Sequence, residues 1–127
     1  MEQGNANKAM SQLRRGVLKY CVLALLRGGS RYGVELLREL GQVEAMVTSE
    51  GTIYPLLSRL RRESLVTTTW QESTSGPPRR YYELTASGQR ALDEFTAEWP
   101  RFHDAVLHFL SKNEAPRPRP TTSAPAR

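Results

Sequence analysis

Residues 47–85, VTSEGTIYPLLSRLRRESLVTTTWQESTSGPPRRYYELT, decide how this chain is read. Thr48 or Ser49 can cap a helix in which Ile53, Leu56, Leu57 and Leu60 form an i, i+3, i+4, i+7 apolar stripe. Its other face carries Thr52, Tyr54, Ser58, Arg59 and Arg62. Pro55 lies beyond the first turn, removes a backbone hydrogen bond and is expected to distort the helix start. The β-branched and aromatic run Leu65 to Glu72 favours a strand. Arg79 to Leu84 is its expected partner, with a loop over Ser73 to Pro78. A basic helix beside a basic hairpin tip suits a groove lined with phosphates.

Upstream, Leu13, Val17, Leu18, Cys21, Val22, Leu25 and Leu26 predict a helix over 11–26 that Gly28-Gly29 ends. Ser30 is the expected N-cap of a second helix carrying Val34, Leu36, Leu37 and Leu40 and stopping at Gly41. Residues 1–10 read as a flexible arm. Downstream, Thr85 caps a long last helix over 85–112. The Pro-Arg-rich 113–127 reads as a disordered tail. The order is helix, helix, helix, hairpin, helix. This is a mainly α (α+β) chain: a winged helix-turn-helix over 11–84, followed by a C-terminal dimerisation helix.

At 127 residues the chain suffices for one domain. A formal net charge of +5 favours an acidic partner. Arginine far outnumbers lysine, which fits a GC-rich genome as much as a preference for bidentate phosphate contacts. Cys21 is the only cysteine, so no intramolecular disulfide forms and a reducing, cytoplasmic setting is expected. It lies in an apolar helical run, where burial outweighs reactivity. The start lacks the apolar core of a signal peptide, and the longest apolar run, Val22 to Leu26, is too short to cross a bilayer.

In a helix-turn-helix the third helix enters the major groove with its apolar stripe on the core. Ser49, Thr52, Tyr54, Ser58, Arg59 and Arg62 are therefore the candidate DNA contacts. Hydroxyls near the helix start can bond phosphates or base edges, and Arg59 or Arg62 can grip phosphate or guanine bidentately. The competing reading is a solvated basic face. In the hairpin, Gly76 permits close approach to a sugar-phosphate backbone, while Arg79 and Arg80 supply charge. Tyr81 and Tyr82 alternate, so one ring is expected on the core and one outside.

Leu92, Phe95, Trp99, Phe102, Val106 and Phe109 repeat as a heptad seam, which needs an apolar partner. The direct expectation is a homodimer in which this helix packs on its mate and on the first helix, through Leu13 and Val17. The alternative is that it folds back on its own domain. Pro100 is expected to kink it after Trp99.

These motifs together resemble the PadR family of transcriptional regulators. The matching pieces are Val22 to Leu26, Tyr32-Gly33, Glu35-Leu36, Gly51 to Leu57, Arg59-Leu60, Gly76 to Thr85, and Gly88, spanning about 13–110. Glu50, Ser64 and Val34 depart from the usual family residues, and the charge of Glu50 would repel phosphate unless turned away. The resemblance implies a homodimeric repressor on a palindromic duplex operator, without a cofactor. It also implies a role for Trp99. In some members a tryptophan at the matching place stacks planar aromatic effectors, here with His103 and Tyr20 lining the cavity; the plainer reading is a dimer-core tryptophan.

No catalytic reading competes. His103 and His108 are the only histidines and lie five apart, on different helix faces. No Gly-rich phosphate loop or activated nucleophile is present in the sequence. The chain is not expected to be an enzyme. The alternative function is a winged helix that binds RNA or a protein without operator specificity.

Overall fold

The computed structural model describes residues 2–112. Helix α1 (Glu2–Arg27) is followed by β1 (Arg31–Tyr32), α2 (Gly33–Leu40) and a short 3-10 turn (Glu44–Met46). Helix α3 (Glu50–Arg62), the hairpin β2 (Val66–Ser73) and β3 (Gly76–Leu84), and α4 (Ala86–Leu110) complete it. The described chain divides after Ala97 into two units, the first holding the core and the second beginning at Glu98. The expected disordered tail, 113–127, lies outside the described residues.

The core is built from one stripe of each element. Leu18, Val22, Leu23 and Leu26 of α1 meet Leu36 and Leu40 of α2 and Ile53, Leu56, Leu57 and Leu60 of α3. Val66, Tyr82 and Leu92 close the cluster from β2, β3 and α4. The α3 stripe is therefore buried as its spacing predicted. Tyr82 is the inward ring of the tyrosine pair; Tyr81 is half-buried, edge-on to Tyr32 at 5.3 Å.

Three boundaries differ from the sequence reading. Helix α1 begins at Glu2 rather than residue 11: no proline lies in 2–10, and Ala, Lys, Met and Gln there favour a helix despite Gly4. Helix α2 is capped at Tyr32, not Ser30, because Arg31 and Tyr32 first pair with Tyr82 and Tyr81 of β3. The Glu35 carboxylate then accepts the Tyr32 backbone N–H at 3.1 Å. This two-residue strand makes the sheet three-stranded, in the order β1-β3-β2. The hairpin turn lies at Thr74-Ser75, and Gly76, Pro77 and Pro78 belong to β3. Between the pairs Gln71↔Arg79 and Ser73↔Gly76 the register shifts, so Pro77 and Pro78 face a single residue, Glu72. A bulge is where a strand tolerates residues without an N–H. Helix α4 continues past Pro100 to Leu110, close to its expected span.

Two junctions hold the helices in place. The Arg31 guanidinium donates to the carbonyls of Leu25 and Gly29, closing the C-terminus of α1, and pairs with Glu39 of α2. At the other junction α3 ends in a Schellman turn: Leu65 N–H donates to Leu60 C=O at 2.9 Å and Ser64 N–H to Arg61 C=O at 3.0 Å. Ser64 occupies the left-handed position of that turn with φ 63°. The Thr85 hydroxyl donates to Ser64 C=O at 2.7 Å and accepts from Gly88 N–H at 3.0 Å, which caps α4 as expected. A Cβ on Gly88 would lie 2.1 Å from the Leu65 carbonyl oxygen, so only glycine lets α4 start there.

Candidate nucleic-acid interface

Ser49 stands at the N-cap of α3, where its backbone carbonyl accepts from Thr52 and Ile53. Its hydroxyl does not take a first-turn N–H; it lies 3.4 Å from the Thr52 hydroxyl. Ser49, Thr52, Ser58, Arg59 and Arg62 are all exposed. Arg59, Arg61 and Arg62 fill the last turn, where the helix dipole favours cations. None of the three makes an ion pair among the described residues, so their charge is not neutralised within the fold. Pro55 and Gly51 are both exposed, so the carbonyl that Pro55 leaves without a donor can bond water.

Tyr54 is at the surface yet fulfils a packing role. A Cβ on Gly33 would lie 2.5 Å from its ring, so glycine at the start of α2 gives this ring its seat. Burial raises the phenol above its ordinary value, and the charge of Glu50 and the nearby Tyr82 add to the shift. Glu50 precedes Tyr54 by one turn and acts on that hydroxyl.

Across the hairpin, Gly76 and Arg79 are exposed and Arg80 is half-buried. Each arginine lies over an aromatic ring on its own side of the sheet. The Arg79 guanidinium is 4.5 Å from the centre of the Tyr32 ring, and Arg80 is 4.9 Å from that of Trp70. Trp70, 64% exposed, was absent from the sequence-based site. Its signal was the pairing of an aromatic on one strand with an arginine on the other, which appears only once the register is known.

Along α4 the predicted seam divides. Leu92 is 3% exposed and belongs to the core of its own chain, which corrects its assignment to a partner surface. Phe95 stacks face to face on Tyr20 of α1, with ring centres 4.1 Å apart and 5° between planes. Tyr20 thus has one face already covered. Trp99, Phe102, Val106 and Phe109 keep 41, 64, 40 and 72% of their surface exposed. The His103 ring is 5.9 Å from that of Trp99. On α1, Leu13 is exposed and Val17 half-buried.

A family model described as the transcriptional regulator PadR-like family matches residues 22–94, from the core of α1 to the first half of α4. The chain belongs to that family. Solved PadR-like structures agree with it closely. One from Bacteroides fragilis is 39% identical, covers 80% of this chain and 98% of its own, and superposes with a TM-score of 0.66. A relative from Eggerthella lenta is 33% identical over 88% of this chain and 97% of its own, with a TM-score of 0.79. One from Bacillus cereus is 36% identical over 80% and 99%, at 0.72. This PadR-like protein is a non-enzymatic, DNA-binding transcriptional regulator with the winged-helix fold of its family. Among the described residues no helix is long and apolar enough to cross a membrane, and no group of His, Cys, Asp and Glu could hold a metal ion.

Proposed function

We propose that two copies of the chain join through α4 and α1 and act as a cytoplasmic repressor on a palindromic operator. The observation that carries this reading is the apolar stripe Trp99, Phe102, Val106 and Phe109, whose exposure is unfavourable in water and is relieved by a second copy. On α1, the exposed Leu13 and half-buried Val17 are the residues this pairing would cover. Two-fold pairing sets two α3 helices in adjacent major grooves, with half-sites roughly one helical turn apart. Ser49, Thr52, Tyr54, Ser58, Arg59 and Arg62 meet the groove, while Gly76, Arg79 and Arg80 meet the flanking backbone. Binding over a promoter blocks transcription.

The test is selection of bound fragments from genomic DNA, with sedimentation of the free protein. The expected result is a dimer at micromolar concentration and a recovered palindrome. Arg59→Ala should weaken its binding and flatten the salt dependence by about one phosphate contact. A protein that stays monomeric and enriches no duplex sequence ends the proposal, and enrichment of RNA would favour the alternative reading.

A second element of the proposal concerns regulation. Trp99 and His103 present neighbouring rings one helical turn apart, which suits a planar aromatic effector bound between copies. Such a ligand would release DNA only by binding more tightly to a dimer whose α3 spacing misfits the operator. Trp99→Ala should abolish ligand-dependent fluorescence quenching; an unchanged response removes Trp99 from the site.

A further inference from the structure

The hairpin keeps a large aromatic where folding does not call for one. Val66, Thr68 and Trp70 share one face of β2, and burial declines along it from Val66 at 2% to Trp70 at 64% exposed. Trp70 therefore overhangs the core rather than joining it. It sits directly across from Arg80, whose guanidinium lies over the indole. On the opposite face Arg79 lies over Tyr32 in the same manner. Neither arginine makes an ion pair among the described residues.

How a cation is held determines what it can still do. A carboxylate partner would fix a guanidinium but cancel its charge. An aromatic face restricts the same side chain and leaves the charge and the in-plane N–H groups available. The hairpin thus presents one oriented, unneutralised cation on each face, an arrangement that meets phosphates on both walls of a groove.

We propose that Trp70 is a positioning residue of the wing: it holds the Arg80 guanidinium ready for a duplex phosphate, as Tyr32 does for Arg79. This rests on the reading above that the wing meets the DNA backbone. The advantage is ordering before contact, since a preset side chain loses less freedom on binding than a mobile one.

The experiment measures binding of the full-length protein to a fluorescein-labelled, mixed-sequence duplex about three helical turns long, across a salt series. Arg80→Ala is expected to weaken binding and reduce the slope of log affinity against log salt by about 0.9 per protomer. Trp70→Leu, which keeps an apolar side chain but no ring, should weaken binding about two- to fivefold, the size of one exposed cation–π contact. Trp70→Phe should restore most of that loss. The Trp70→Leu, Arg80→Ala double variant should bind no more weakly than Arg80→Ala alone. Wild-type binding by Trp70→Leu, or losses that add in the double variant, overturns the positioning role. An Arg80→Ala protein with unchanged affinity and salt slope instead overturns the wing contact on which it rests.

Discussion

The apolar stripes of α3 and of the second half of α4 share the helical period and meet opposite fates. On α3, Ile53, Leu56, Leu57 and Leu60 are between 0 and 7% exposed. On α4, Trp99, Phe102, Val106 and Phe109 are between 40 and 72% exposed. Periodicity therefore states that a helix needs an apolar partner, not where that partner is. Helix α3 finds its partner within its own unit. The end of α4, larger and more aromatic, is left facing solvent.

Breaking the first stripe should have the largest effect. Leu57→Ala leaves a cavity at a fully buried position and should cost about 2–5 kcal/mol, read as a lower urea midpoint. A change below 1 kcal/mol would show that α3 is packed less tightly than its burial indicates. Breaking the second stripe should affect association instead. Phe102→Ala should weaken the proposed dimer by about 2 kcal/mol, roughly thirtyfold in Kd by sedimentation, with little change in the melting of the isolated protomer. Destabilisation without any change in association would mean that the stripe is covered by its own chain.

Smaller changes sharpen the comparison at the ends of α3. Ser64 holds a left-handed φ where glycine is unstrained, so Ser64→Gly should stabilise the fold by about 0.5–1 kcal/mol in urea titration. Loss of stability there would show that the serine side chain has a role of its own. Tyr54, on the exposed side of α3, offers the mildest test. Its phenol is raised by burial first and then by Glu50 and Tyr82, so the fold favours the protonated form. That contribution is fully present below the ordinary tyrosine value near 10 and fades as pH rises through the higher folded-state value. Wild type should therefore lose stability above pH 10 more steeply than Tyr54→Phe, and that variant should lack one phenolate that forms above the ordinary tyrosine value in ultraviolet titration. Identical curves would remove Tyr54 from that role.

The exposed face of α3 was legible because surface cations and hydroxyls follow directly from the helical repeat. Arg59 and Arg62 had to face outward once Leu56, Leu57 and Leu60 faced in. Thr85 was legible as a cap because a threonine before a helical run has one common use. The misreadings share a different cause. Strand β1 is two residues long, too short to leave a pattern, yet it moved the cap of α2 from Ser30 to Tyr32. Pro77 and Pro78 signal a turn locally, but the pairing of Gln71 with Arg79 makes room for them in a bulge. Leu92 was assigned to a partner because its own core could not be seen to reach it. Trp70 went unnoticed because its importance depends on the residue across the strand.

By itself, the order of residues determined which elements form, which faces are apolar and that the exposed remainder is cationic, since these depend on spacing along a chain of known geometry. Only the tertiary structure decided which aromatic rings are covered, where the hairpin turns and which ring lies beneath each wing arginine. Those depend on contacts between residues far apart in sequence, and no local repeat encodes the register that brings them together.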